Sequence, residues 1–216
     1  MAEGGHVTEV ESTARNGPKL AMLAIVLAGG ASTRMAGQDK LALPLVDKPL
    51  LDHAVDAVAS ADLIITVGPP RQTGRSVHWT REQPPGGGPV AAIAAGLVAA
   101  DRLGDESQFV AVIAGDMPLA GGVIGTLLRA AEAADCDVAI AVGADGRDQP
   151  LLAIWRRTAL SDVLAACEST AGTSARSLLA GVRVARVPVT GDATRDCDEQ
   201  QDLYEVAAII RGRSGR

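Results

Sequence analysis

Short apolar runs, rich in β-branched residues, alternate along the chain with stretches whose apolar positions recur every three or four residues. The runs Leu23 to Leu27, Asp62 to Val67, Val77 to Thr80, Phe109 to Ala114, Asp137 to Val142 and Leu151 to Trp155 predict strands. Between them the helical period predicts helices over Pro49 to Ser60, about Val90 to Asp101 and about Gly122 to Ala134. Further on come short helices over Ala159 to Cys167 and Ser174 to Leu179. In the first of these helices Leu51, Ala54, Val55 and Val58 share a face, and Pro49 suits its first position. Val182 to Val189 mixes valine with Arg183 and Arg186, as a half-exposed edge strand does, and one arginine is expected to lean toward a cleft. A last helix carries Leu203, Val206, Ala207 and Ile210, with Asp198 and Gln201 spaced as a capping box.

Strands alternating with helices predict an α/β fold. Phe109 to Ala114 is apolar on both faces, as a central parallel strand is. Asp145-Gly146 lies between two apolar runs and predicts a hairpin, so the sheet is expected to be mixed. No internal repeat or linker divides the chain, and residues 20–211 are expected to form one domain. Residues 1–19 are expected to be a disordered leader, because Glu3, Glu9 and Glu11 precede any apolar run and exclude a secretory signal. Residues 212–216 are read as a frayed tail.

Composition narrows the function. The net charge of −6 gives no electrostatic footprint for nucleic acid, and four aromatic residues offer no stacking surface for it. An anionic substrate must therefore meet local cations and metal. Cys136, Cys167 and Cys197 are widely spaced and odd in number, which suits reduced thiols in the cytoplasm. His53 and His78 lack partners at metal-ligand spacing, and His53 is expected to be a partly exposed helix residue. No stretch reaches the ~20 apolar residues that span a bilayer.

The candidate chemistry gathers at strand ends. After Leu23 to Leu27 come Ala28, Gly29, Gly30, Ala31, Ser32, Thr33, Arg34 and, further on, Lys40. Paired glycines let backbone amides approach a ligand, and the two cations suit a polyphosphate. The spacing fits neither a Walker loop nor G-x-G-x-x-G. Arg81 to Pro89 is a Pro/Gly-rich loop before a helix. Asp116 follows the central strand in Gly115-Asp116-Met117-Pro118, where open α/β sheets bind ligands, and a carboxylate there suits magnesium.

The string from Leu27 to Lys40 resembles the signature loop of nucleotidyltransferases, L-A-G/A-G-x-S-x-R-M-G-x-D-K in outline. Its Gly29-Gly30 form resembles the molybdenum cofactor guanylyltransferases, the MobA family. Ala36 departs from the glycine common there, with Gly37 next to it. Gly115 to Pro118 and the Gly88-Pro89 segment match the family in order, so the resemblance covers about residues 22–210.

The resemblance implies a three-layer α/β/α Rossmann-like nucleotidyltransferase fold with a mostly parallel, mixed sheet. It implies transfer of GMP from GTP to molybdopterin with release of pyrophosphate, and Mg2+ on Asp116. Arg34, Lys40 and Asp116 become the catalytic set, and Leu27, Ala28, Gly29, Gly30, Glu82 and Gly88 complete the nucleotide site. Arg147, Gln149, Asp196 and Asp198 fall on the acceptor side, with Asp196 or Asp198 able to share the metal. Glu199-Gln200-Gln201-Asp202-Leu203 departs from the common Thr-Pro-x-Asp-Leu. Molybdoenzyme apoproteins or their chaperones are the implied recipients, with neither nucleic acid nor membrane involved. Two alternatives stand beside this: a cytidylyl- or sugar-phosphate nucleotidyltransferase on the same scaffold, and a non-catalytic module that binds nucleotide and cofactor.

Overall fold

The computed structural model describes residues 21–30, 39–189 and 191–214. The expected leader and Arg34 lie outside them. The apolar runs form strands β1 (Met22–Leu27), β4 (Leu63–Val67), β5 (His78–Thr80), β6 (Phe109–Ala114), β7 (Val138–Val142), β8 (Asp148–Arg156) and β9 (Val184–Pro188). They hydrogen-bond in the order β5-β4-β1-β6-β8-β7-β9. β1 lies between β4 and β6 and runs parallel to both. β8 runs antiparallel to β6 and β7, so the sheet is mixed as the Asp145-Gly146 turn predicts. A small hairpin, β2 (Pro44–Leu45) with β3 (Lys48–Pro49), stands apart from the sheet.

Side chains of a strand point alternately to its two faces, and helices cover both. On one face Ala24, Val26, Ala111 and Ile113 pack with α1 (Leu50–Ala57), α3 (Gly121–Ala133) and α5 (Gln200–Ser214). On the other, Leu23, Ile25, Val110 and Val112 pack with α2 (Pro89–Arg102) and α4 (Arg157–Ala165). The two cores make three layers. β1 and β6 are buried on both faces, so the loops at their carboxyl ends spring from a rigid base.

Several local expectations change. Pro49 is the N-cap of α1 and not its first residue. Residues 175–179 form a 3-10 helix, because the Ser177 amide and hydroxyl both donate to the Ser174 carbonyl three residues back. α5 continues through Ser214, past the expected start of the tail. His53 is buried, and its Nε2 lies 2.8 Å from the Leu45 carbonyl. Neither edge arginine leans into a cleft. Arg183 pairs with Asp135 and Asp137, and Arg186 with Asp148. Among the described residues no helix is long and apolar enough to cross a membrane.

Candidate active site

The sheet order places the site. From β1 the chain moves to β4 and β5 on one side, then crosses back to β6 on the other, so a crevice opens beyond the carboxyl ends of β1 and β6. Leu27 and Ala114 are paired there, and the Gly115 amide donates to the Leu27 carbonyl at 2.9 Å. Gly29 and Gly30 leave the sheet from one strand and Asp116 from the other. Between them lies a cavity of about 430 Å³, lined by Leu27, Gly29, Gly30, Glu82, Gly88 and Asp116 among others. Gly88 caps α2 with φ of 89°, a conformation that favours glycine. Ala28 is buried, with its amide bonded to the Val67 carbonyl, and is not among the lining residues.

Glu82 is only 6% exposed. Its Oε1 accepts the Gly86 amide at 2.9 Å, while Oε2 is buried without a hydrogen-bond partner. A buried acceptor left unmatched costs on the order of 1–3 kcal/mol.

The charged centre sits at the rim. Lys40, first residue of a short 3-10 helix (Lys40–Ala42), donates from Nζ to Asp116 Oδ2 at 2.7 Å and to Asp198 Oδ1 at 2.9 Å. Burial pulls the Lys40 pKa down, but the hydrogen bonds and charges of Asp116 and Asp198 outweigh it and hold the pKa above the usual lysine range. The Cys197 amide donates to the Asp116 carbonyl at 3.1 Å, which fastens the 196–198 segment to the end of β6. Asp196 lies beside this centre. Burial first, then the negative charges of Asp198 and Asp116, raise its pKa against the pull of Lys40. Asp198 does not cap α5 with its side chain. Asp202 reaches back instead, its Oδ2 accepting the amides of Asp198 and Glu199, while the Asp198 carboxylate meets the Lys40 ammonium.

A second cavity, of about 610 Å³, shares Gly86, Gly88, Pro89, Ala114, Asp116 and Leu151 with the first. Asp116 therefore faces both. Its far side carries Gln149, Thr194, Asp196 and the segment Gly172 to Arg176. The Gly172 amide donates to the Gly87 carbonyl at 2.8 Å, docking this segment on the glycine-rich loop.

The structure thus brings together Leu27, Gly29, Gly30, Lys40, Glu82, Gly88, Asp116, Gln149, Asp196 and Asp198. Arg147 is not brought in. Its side chain is 79% exposed and pairs with Asp145 of its own turn, because a hairpin tip projects into solvent. Arg176, absent from the expected set, is the one lysine or arginine among the described residues that lines the second cavity. Its only sequence signal was a run of small residues, Thr170 to Ser174, ahead of a cation.

Asp116 and Asp198 converge on one cation and offer hard oxygen donors. No group of three metal-binding side chains gathers among the described residues. A pair of carboxylates fits Mg2+ or Mn2+ all the same, since such ions commonly take one or two carboxylates together with substrate phosphates and water.

The chain matches the model of the MobA-like NTP transferase domain over residues 24–187. It is 30% identical over 212 residues to a molybdenum cofactor guanylyltransferase of Burkholderia ambifaria, covering 90% of this chain and 98% of that one. It is 37% identical over 145 residues to a probable molybdenum cofactor guanylyltransferase of Mycobacterium bovis, covering 64% of this chain and 69% of that one. Its fold superposes on the crystal structure of molybdopterin-guanine dinucleotide biosynthesis protein A from Archaeoglobus fulgidus with a TM-score of 0.67, at 21% identity, covering 88% and 100% of the two chains. By the extent of these matches, the chain belongs to the MobA-like NTP transferase domain family.

Proposed function

We propose that this protein transfers GMP from GTP to the terminal phosphate of molybdopterin and releases pyrophosphate. Family membership and the two guanylyltransferase relatives support that reading. The observation that carries it is the meeting of Lys40, Asp116 and Asp198 where two cavities share a wall. Two substrates held on either side of Asp116 would present their phosphates to each other there.

The chemistry needs little from the protein beyond placement and charge. An acceptor phosphate oxygen attacks the α-phosphorus, the bond from that phosphorus to the bridging oxygen breaks, and pyrophosphate departs with the electron pair. The acceptor is already an anion near neutral pH, so no general base is required. Holding two polyanions in line removes much of the entropic barrier. Gly29 and Gly30 would offer backbone amides to the triphosphate, and Lys40 would turn its ammonium to the oxygens that gain charge. Arg34, which lies outside the described residues, would add a second cation. Asp116 and Asp198 would hold a divalent metal. When bound, that ion neutralises phosphate charge and fixes the two substrates in register.

On the acceptor side Gln149, Asp196 and Arg176 replace the expected set that included Arg147. Arg176 would take an acceptor phosphate, since the other charged groups lining that cavity, Asp116 and Asp196, are carboxylates. Glu82 supports guanine. A carboxylate in the wall of the first cavity suits the adjacent N1–H and N2 amino donors of guanine. Cytosine offers one amino group beside acceptors.

The test is pyrophosphate release measured with GTP, CTP, ATP and UTP, with and without molybdopterin and Mg2+. Release with GTP that requires both acceptor and metal is expected. Faster release with CTP would make the protein a cytidylyltransferase, and GTP binding without release would make it a binding module.

A further inference from the structure

Arg71 has no part in the site described above, yet four hydrogen bonds from its guanidinium go to that site's frame. It follows Gly68-Pro69-Pro70 at the end of β4, and its side chain is 13% exposed. Nε donates to Asp39 Oδ2 at 2.6 Å and Nη2 to Asp39 Oδ1 at 2.9 Å, a two-pronged pair. Nη1 donates to the carbonyls of Ala28 at 2.8 Å and Pro69 at 3.0 Å. Ala28 immediately precedes Gly29-Gly30, and Asp39 immediately precedes Lys40. One guanidinium therefore joins the residue ahead of the phosphate-facing glycines to the residue ahead of the catalytic ammonium.

The neighbourhood is built for this bridge. A Cβ on Gly68 would lie 2.4 Å from the Ala28 carbonyl oxygen, so only a bare backbone passes that carbonyl. Pro69 and Pro70 have fixed φ, and Arg71 is presented with few alternative conformations to lose. A lysine could supply the charge but not the planar fork that spans a carboxylate and a carbonyl at once. With its hydrogen bonds committed to Asp39 and two carbonyls, Arg71 is poorly placed to bind phosphate itself.

We propose that Arg71 is a positioning residue for phosphoryl transfer: it closes the base of the phosphate loop and, through Asp39, aims Lys40 at Asp116 and Asp198. This rests on the transferase reading above. The test is a double-mutant cycle with Arg71→Ala, Arg71→Lys, Asp39→Ala and Lys40→Ala, read both as kcat/KM for GTP and as calorimetric affinity for tripolyphosphate with Mg2+. Thermal melts would verify that each variant is folded.

All three loop-base variants should lose about 10–100-fold in kcat/KM, the scale of a misplaced catalytic group. They should lose about threefold to tenfold in tripolyphosphate affinity, an ordinary coupling between contacting residues. In the Lys40→Ala background, Arg71→Ala should cost clearly less than in wild type by both measures, the remainder being its hold on the Ala28 carbonyl beside the glycines. Restoration of wild-type values by Arg71→Lys would overturn the proposal, and so would an Arg71→Ala loss that persists undiminished without Lys40. Wild-type protein that releases no pyrophosphate would overturn the transferase reading instead, and the affinity cycle would still decide the role of Arg71.

Discussion

Lys40 and Asp116 stand 76 residues apart in sequence, and their side chains meet at 2.7 Å. The same ammonium reaches Asp198, 158 residues away, at 2.9 Å. Lys40 is thus a local counter-charge, among the described residues, for a cluster that also includes Asp196. Replacing it by alanine removes a contact to the charge that develops in transfer and leaves the carboxylates to repel one another. Lys40→Ala should lower turnover by about 10²–10³-fold. Its melting temperature in a chelator should fall, and added Mg2+ should raise it more than it raises wild type, because the ion takes over the lost compensation. An unchanged rate of pyrophosphate release would remove Lys40 from the mechanism.

Asp116→Asn keeps the shape of the side chain and removes half of the carboxylate pair. Mn2+ affinity, read by electron paramagnetic resonance with GTP present, should fall at least about tenfold, and turnover by about 10²-fold or more. The fold should survive, since the backbone bond from the Cys197 amide to the Asp116 carbonyl does not depend on the side chain. In wild type, a chelator should abolish pyrophosphate release and Mg2+ should restore it. Turnover that persists in the chelator would argue that the carboxylates serve only Lys40.

How much of this was legible follows from where each residue sits. Gly29, Gly30, Lys40 and Asp116 lie directly beyond apolar runs that fix strand ends, and a strand end in an open α/β sheet is a place that sequence can name. The bends of long loops are not. Arg147 and Arg176 are both cations among small polar residues, and nothing local separates them. Only the tertiary docking of Gly172 on Gly87 puts one against the cavity, while the hairpin carries the other into solvent. The same limit hid Arg71: the pairing of β1 with β4 brings Ala28 to it, and Asp39 meets it from the start of the short 3-10 helix. For Asp198 the spacing to Gln201 allows a cap, and the resemblance also turns its carboxylate toward the cleft. The capping work went to Asp202 once Lys40 offered the Asp198 carboxylate a charged partner.

Arg176 and Arg147 give a paired prediction. If Arg176 meets the acceptor phosphate, its loss removes a hydrogen bond to a charged group, worth about 1.5–3 kcal/mol. Arg176→Ala should therefore raise KM for molybdopterin by about 10-fold to 100-fold and leave KM for GTP unchanged. Arg147→Ala should leave both constants within about twofold, because an exposed ion pair within one turn contributes little. Initial rates with each substrate varied in turn would check this. Equal effects from the two variants would mean that the Gly172 to Arg176 segment does not face the acceptor.

Asp196 carries the pH dependence. Unfolded, it loses its proton near the ordinary carboxylate value, about 3.9. Folded, burial and the charges of Asp198 and Asp116 keep the proton on to higher pH, with Lys40 opposing them. The folded state then binds more protons than the unfolded state between those two values, so stability falls as pH rises through that window. Above it the full cost of a third carboxylate charge beside Asp198 and Asp116 is present, and below about pH 4 it is absent. Asp196→Asn, which is never charged, should therefore melt above wild type at pH 7 to 8 in the presence of a chelator. The gap should shrink as pH is lowered and close below about pH 4. A variant that melts at or below wild type at pH 8 would show that the Asp196 carboxylate is stabilised where it stands, and that the cluster around Lys40 is charge-balanced without metal.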